Sequence, residues 1–577
     1  MGVCGVSGDF WLAAALVGLA AALGVLYLGQ FLAWAAGPGV LSLGEFARAF
    51  GPDDFLLALA GGPRPPFFRL GLALGGLGLV LLGVGAAALA LRVRGGRPSD
   101  LGSARLGSAR GMREVLGSDG LVLGRKVRLS SRASFEHVAV VGPTGCGKSS
   151  GYFVPNLLVL EGPCSLVVSD PKGELYDLTS RRQKELGREV LVFAPLDPAR
   201  SVRYNPLRVA PTASAVRELA HMLLVNGTRA AELMTGGKHS SPEWITLSVP
   251  LLSAALLRAR EIGEPVDDVA SALDFLLETP DEKLLGEFQT CSPATCREFL
   301  IYAQALGSER TASSIRVTVS TGLGLFNLPE IREVTSGAGF DPARLRERPT
   351  VVYVQVPERK ASFLSPLMSV FYQQLIDRVL DREGLPVYFL LDEFANIGVI
   401  PDFPRLAATA RSRRISLSVG IQGVEQLEGC YGREAAQDIL NNLKVKLFFP
   451  GLSTYSAEYA SRLCGQATAE VRGWSREAGR AGYTEMYSAQ KRDLMTPDEV
   501  RRLGKGRLLV VAAGCDPVLA SQLRYYEDRR LRKLVGRLEE PVREPAPGPE
   551  QGAAPRAAAV PGERVPPGQP ADPLDWW

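Results

Sequence analysis

The clearest chemistry in the sequence lies in eight consecutive residues, Gly142-Pro-Thr-Gly-Cys-Gly-Lys-Ser149. They fill the pattern G-x-x-x-x-G-K-[ST]. Its glycines let the backbone turn tightly, so that N–H groups point at phosphate oxygens. Lys148 brings positive charge to the β- and γ-phosphates, and Ser149 offers a hydroxyl to Mg2+. The expected nucleotide-binding set is Gly142, Pro143, Thr144, Gly145, Cys146, Gly147, Lys148, Ser149 and Ser150. A glycine-rich turn with no ligand is the alternative. The strand-like run His137-Val-Ala-Val-Val141 before the loop and helix-compatible residues after it favour the phosphate reading.

A partner for this loop should stand at the end of another buried strand. Val387-Tyr-Phe-Leu-Leu391 runs directly into Asp392-Glu393. Asp392 is placed to hold magnesium beside Ser149, and Glu393 to polarise an attacking water as general base. Gln422 closes the run Ser416–Ile421, where a neutral amide can sense a γ-phosphate or simply be a satisfied strand-end residue. Upstream stand Arg411-Ser-Arg413-Arg414. Arg411 is read either as part of a solvated basic face or as an arginine given to a neighbouring subunit's transition state.

These residues need a sheet that brings strand ends together. Further apolar runs occur at 165–169, 190–194, 351–356, 446–449 and 508–512, making eight expected strands with those above. Helix-like stretches separate most of them, so an α/β domain with a largely parallel sheet is expected, its ligand at the carboxyl ends of the strands. From 210 to 345 strand-like runs disappear, and segments such as 213–224, 244–260 and 269–277 show helical spacing. An all-α domain inserted between 95–209 and 346–535 is therefore expected.

The 577 residues exceed one core, and the net charge of +4 excludes a chain that is basic throughout. The basic excess is local: 92–132 holds ten Lys/Arg against three Asp/Glu. Such a run beside a membrane suits positive-inside topology, anionic headgroups or a nucleic-acid backbone. No charge occurs between Asp9 and Glu45 or between Leu70 and Leu91. Two transmembrane helices are expected, at about 12–36 and 70–91, within a 1–94 anchor that keeps the following chain in the cytoplasm. A cleaved signal peptide is the alternative for the first, but residues 1–9 carry no Lys or Arg. Gly75-Gly76 would allow close helix approach and oligomerisation in the membrane. Eight Cys and three His show no zinc spacing. Residues 536–577 are rich in Pro, Gly and Ala and read as a disordered tail ending in a Trp pair, either incidental or a partner anchor.

Several boxes then occur in a telling order. Gly107-Ser-Ala-Arg110, duplicated as Gly102-Ser-Ala-Arg105, precedes the phosphate loop, and Val154-Pro-Asn156 follows it. Asp170-Pro-Lys-Gly-Glu174, Tyr204-Asn-Pro-Leu207, Leu391-Asp-Glu-Phe-Ala-Asn-Ile-Gly398, Gln422 with Gln426-Leu427, and Leu494-Met-Thr-Pro-Asp-Glu499 complete the set. With these the chain resembles the type IV coupling proteins, the TraG-like ATPases of conjugation and type IV secretion. The resemblance implies a RecA-like P-loop fold, ATP and Mg2+ as ligands, and a hexameric ring on the bacterial inner membrane. It implies DNA as partner, single-stranded with bound relaxase, together with the type IV secretion channel proteins. It also places Lys148, Ser149, Asp392, Glu393, Arg411 and Gln422 at the nucleotide site. A receptor or gate that uses ATP only to change shape, and an FtsK-type DNA translocase, are the alternatives. Cys146 departs from the usual small residue and is expected to point away from the phosphates.

Overall fold

The computed structural model describes residues 22–32, 46–47, 49–66, 68–80, 102–236, 242–400, 403–475 and 484–538. The chain divides into two compact units, 1–100 and 101–577.

In the larger unit the apolar runs are strands. The described strands are β1 (Val122–Gly124), β2 (Val127–Arg128), β3 (Val138–Val141), β4 (Ser165–Ser169), β5 (Glu189–Phe193), β6 (Thr350–Val354), β7 (Val387–Leu391), β8 (Ile415–Ile421), β9 (Val445–Phe448), β10 (Gln466–Ser475), β11 (Thr484–Asp493), β12 (Arg507–Ala512) and β13 (Val518–Ser521). Nine of them form one sheet in the order β13-β12-β9-β3-β8-β7-β4-β6-β5. The seven strands from β9 to β5 run parallel. β12 lies antiparallel to β9, and β13 antiparallel to β12, so the sheet is mixed at that edge. All eight expected strands are present. His137 is not part of β3; its φ of 65° ends the preceding turn.

Alternation sorts the strand residues onto two faces, and both faces are covered, which is why the strands read as unbroken apolar runs. Ala139, Val141, Phe389 and Leu391 face one core. Val138, Val140, Tyr388 and Leu390 face the other. The second face carries the chain that follows β3, a π-turn Ser149–Phe153 continuing into the helix Val154–Val159, and the helix Glu174–Glu185. Between β5 and β6 the described residues hold helices and no strand, among them Ala213–Thr235, Pro242–Ile262, Val269–Glu278 and Glu309–Gly322. These bury their apolar stripes in the same core as the first sheet face rather than in one of their own. The helix Ala361–Leu380 connects the two: Phe371 stacks on Phe193 of β5 at 4.3 Å between ring centroids. Gly227 lets Ala213–Thr235 pass against Glu309–Gly322, since a Cβ there would lie 1.9 Å from the Gly322 carbonyl oxygen.

The duplicated Gly-Ser-Ala-Arg boxes find separate partners. Ser103 bridges to Ala467 at the base of the β10–β11 ribbon, and Gly107 bridges to Val518 of β13. Residues 536–538, assigned to the tail by composition, are held against the helix Glu174–Glu185: Gly536 N donates to Leu178 O and Leu538 N to Ser180 Oγ. The rest of the expected tail lies outside the described residues.

In the smaller unit, helical backbone covers 22–32 and 68–80, and a short helix Pro52–Leu59 stands between them. Phe46, Phe50, Phe55 and Phe68 are buried together, with Tyr27 packed against them. Gly29 approaches the backbone of Gly71 and Gly75, and Gly75 in turn faces Leu26. Gly75 thus serves a close contact within the chain. Among the described residues no helix is long and apolar enough to cross a membrane. The expected spans at 12–36 and 70–91 extend outside the described residues at 12–21, 33–36 and 81–91.

Candidate active site

Because β3, β8, β7 and β4 are parallel neighbours, their carboxyl ends deliver Gly142, Gln422, Asp392 and Asp170 to one edge of the sheet. The loop after β3 takes left-handed backbone at Gly145 (φ 79°) and Gly147 (φ 99°), where a side chain would be strained. A Cβ built on Gly142 would meet Cys146 Sγ at 2.6 Å and Phe449 Cβ at 2.7 Å. Cys146 therefore packs toward the core, as expected, and burial raises its thiol pKa. Asn156 fixes the loop's following helix. Its amide accepts from Val122 N (2.7 Å) and donates to Val122 O (2.9 Å), tying in β1.

Lys148 is only 5% exposed. Its Nζ donates to Gly142 O at 2.7 Å and Pro143 O at 3.3 Å, and stands 3.9 Å from Glu393 Oε1. Ser149 Oγ donates to Asp392 Oδ2 at 2.6 Å. Asp392 is buried, and that burial pushes its carboxyl up to about 6 against the pull of Ser149 and Lys148. Its Oδ1 is a buried acceptor with no partner. A hydroxyl and a carboxylate side by side, one oxygen unmatched, fit a hard divalent cation that takes its other ligands from phosphate and water. Glu393 sits in left-handed backbone (φ 61°), and its Oε2 accepts from Gln422 Nε2 at 3.0 Å. A carboxylate is thus held between an ammonium and an amide, able to take a proton from a water above the strand ends.

Asp170 caps the helix Glu174–Glu185: its two oxygens accept from Leu175 N (3.0 Å) and Tyr176 N (2.8 Å). Burial nevertheless raises its carboxyl to about 6. Lys172, two residues on, pairs with Glu358 at 3.5 Å across the mouth of the cleft. The cleft, about 280 Å³, is lined by Lys148, Ser149, Asp392 and Glu393 together with Tyr525. Sequence reasoning missed Tyr525. Its N–H donates to Ser150 O at 3.1 Å, pinning the segment after β13 to the start of the P-loop helix.

Arg411 is not brought to this cleft. It opens a one-turn helix, Arg411–Arg413, before β8, whereas Gln422 follows β8. A seven-residue strand separates them by roughly 20 Å. Arg411 pairs instead with Glu136 at 2.9 Å and is about half exposed.

The chain matches the family model described as "Type IV secretory system Conjugative DNA transfer" over residues 100–546. This chain belongs to that family. Protein VirD4 of Rhizobium radiobacter is 30% identical over 427 residues, 71% of this chain and 60% of that protein. Conjugal transfer protein TraG of Escherichia coli is 26% identical over 445 residues, 68% of this chain and 67% of that one. The alignment thus spans about 60% of the length of the VirD4 relative. Among solved structures, plasmid coupling protein TrwB in complex with ADP and Mg2+ has a TM-score of 0.58 at 16% identity, covering 73% of this chain and 93% of that one. This likeness supports the α/β fold with its largely parallel sheet. The family's boxes acquire local reasons here. Asn205 caps Leu207 and Arg208 and donates to Asp267 O. Thr496 and Glu499 close a reciprocal capping box.

Proposed function

We propose that this member of the family is an ATPase of the bacterial inner membrane that recruits a DNA–relaxase substrate and energises its delivery to a type IV secretion channel. The observation that carries this is the convergence of Lys148, Ser149, Asp392, Glu393 and Gln422 at one sheet edge. ATP is the expected substrate and Mg2+ the expected cofactor. When held there, the cation compensates charge on the phosphate oxygens. Lys148 leaves its loop carbonyls for the β- and γ-phosphates. Ser149 and Asp392 hold the cation, and Glu393 accepts the proton of a water that Gln422 helps to orient. TrwB, whose fold this chain shares, has been solved with ADP and Mg2+ and with a non-hydrolysable ATP analogue, which supports the ligand assignment.

The same chemistry supports the proposed ring. Arg411 stands half exposed at the opposite sheet edge, suited to reach a neighbour's site in the proposed homo-hexamer and add charge compensation there. The helices between β5 and β6, sharing the core of the sheet, are the proposed substrate-facing part. Uncharged stretches at 12–36 and 70–91 support two membrane helices.

The full chain in detergent tests this by ATP turnover with and without single-stranded DNA. We expect DNA to raise the rate several-fold, and Glu393→Gln to bind ATP while losing at least about a hundredfold in turnover. A DNA-independent rate with tight relaxase binding would favour a receptor or gate.

A further inference from the structure

The chain beyond β13 carries a dense row of positive charge. Arg529-Arg-Leu-Arg-Lys533 holds four cations in five residues, on the helix Arg529–Leu534. All four are exposed. The flanking arginines are matched by carboxylates: Arg524 pairs with Glu527 at 3.1 Å and Arg537 with Asp177 at 3.2 Å. Among the described residues no ion pair neutralises Arg529, Arg530, Arg532 or Lys533. Asp528, next to the row, is engaged in capping the helix, accepting from Arg530 N at 2.9 Å and Leu531 N at 3.2 Å. Helix residues three and four apart are neighbours, so Arg529, Arg532 and Lys533 share a face and Arg530 adjoins Lys533. Leu531 is turned away from them, buried in the core that holds Val154, Leu157 and Leu158 of the P-loop helix.

This helix is tied to the nucleotide cleft on both sides. Before it, Tyr525 N donates to Ser150 O at 3.1 Å, and the Oε1 of buried Gln522 stands 3.1 Å from where a Cβ on Gly147 would lie. After it, Arg181 Nη2 donates to Val535 O at 2.7 Å, and Gly536 N donates to Leu178 O at 2.9 Å. Leu178 itself lines the cleft. Between the first tie and the row stands Tyr526, an aromatic side chain that is 47% exposed.

We propose that the helix Arg529–Leu534, together with Tyr526, is a contact surface for single-stranded DNA, and that the strand raises ATP turnover through it. A row of unmatched cations suits a linear polyanion, and contacts to phosphates need no sequence preference. Cations beside an exposed aromatic ring are the combination that holds single strands, the ring stacking on a base of any identity. A lipid surface suits the element less well. A helix lying on a membrane needs exposed apolar side chains to enter the acyl boundary, and the one apolar residue within the row is buried. This inference rests on the proposed DNA substrate and names the element that senses it.

The test titrates a fluorescent single-stranded oligonucleotide against the full chain in detergent at several salt concentrations, with ATP turnover measured alongside. The probe variant carries Arg529→Gln, Arg530→Gln, Arg532→Gln and Lys533→Gln together. It should bind DNA about tenfold or more weaker at low salt, and its log–log salt slope should be shallower by about 2–3, each lost phosphate contact contributing about 0.7. Turnover without DNA should stay unchanged, while the increment given by DNA is lost. Replacing the three arginines by Lys should keep both slope and increment. Tyr526→Ala should weaken DNA binding about fivefold or more with the slope unchanged. DNA affinity and slope equal to those of the unaltered chain in the Gln variant would overturn the proposal and leave the row to anionic lipid. Loss of DNA-free turnover together with DNA binding in that variant would also overturn it, marking a structural role. Failure of the DNA reading itself has a separate signature, because the unaltered chain would then bind no oligonucleotide at any salt concentration.

Discussion

His137 shows how much one side chain can couple. It lies just before β3 and is 2% exposed. Its Nδ1 accepts from Leu417 N of β8 at 3.1 Å, and its Nε2 donates to Ala407 O of the helix Phe403–Ala410 at 2.8 Å. That pair of bonds requires the neutral ring. Burial pushes the imidazole down to about 4, with Arg411 adding to the effect and the Ala407 carbonyl opposing it. The unfolded ring titrates near 6.5, so the unfolded state gains the proton first as pH falls. The contribution of the ring is full above about 6.5, declines toward 4 and is gone below it, with a ceiling of about 3 kcal/mol. Asn tolerates the positive φ and can accept from Leu417 N without titrating. Chemical denaturation between pH 7 and 4 should therefore give a shallower acid limb for His137→Asn than for the unaltered chain; identical limbs would remove His137 from the acid response. His137 was legible only as the first residue of an apolar run. The positions of Lys148, Asp392, Glu393 and Gln422 were legible, because each follows a strand buried on both faces and such strands announce themselves as unbroken apolar runs. Tyr525 was not legible. It follows β13, a four-residue strand at the mixed edge, far along the chain from the loop that it touches.

At the scale of elements, the legible parts were the covered ones. The β10–β11 ribbon escaped notice because Gln466–Ser475 and Thr484–Asp493 are largely polar. Its antiparallel register is carried by the backbone ladder. The helices from Ala213 to Gly322 were legible by spacing, but their sharing of a core with the sheet was not, since periodicity marks a buried face without naming what covers it. The crossing at Gly227 and Gly322 shows what that sharing demands. A methyl at 227 cannot be accommodated by rotating a side chain, because the atom it meets is the Gly322 carbonyl oxygen. Gly227→Ala should cost about 1–3 kcal/mol through forced separation of the two helices, read as a lower denaturation midpoint. An unchanged midpoint would mean that the crossing relaxes freely.

For the molecule as a whole, the arrangement divides labour across the sheet. One edge gathers Gly142, Asp170, Asp392 and Gln422, while the opposite edge presents Arg411 outward. The proposed ring would bring the Arg411 edge of one copy to the phosphate-loop edge of the next. The segment 102–107 links the base of the β10–β11 ribbon to β13, and β13 leads directly into the residues clasping the phosphate loop.

The central claim is that Lys148, Ser149 and Asp392 seat a magnesium triphosphate whose hydrolysis drives transfer. Its most direct test is conjugative transfer from cells carrying Lys148→Ala, measured together with ATP binding by the purified full chain. The account predicts that transfer and ATP binding are lost together while membrane insertion and expression stay normal. Transfer at the unaltered frequency from a variant that no longer holds ATP would contradict it.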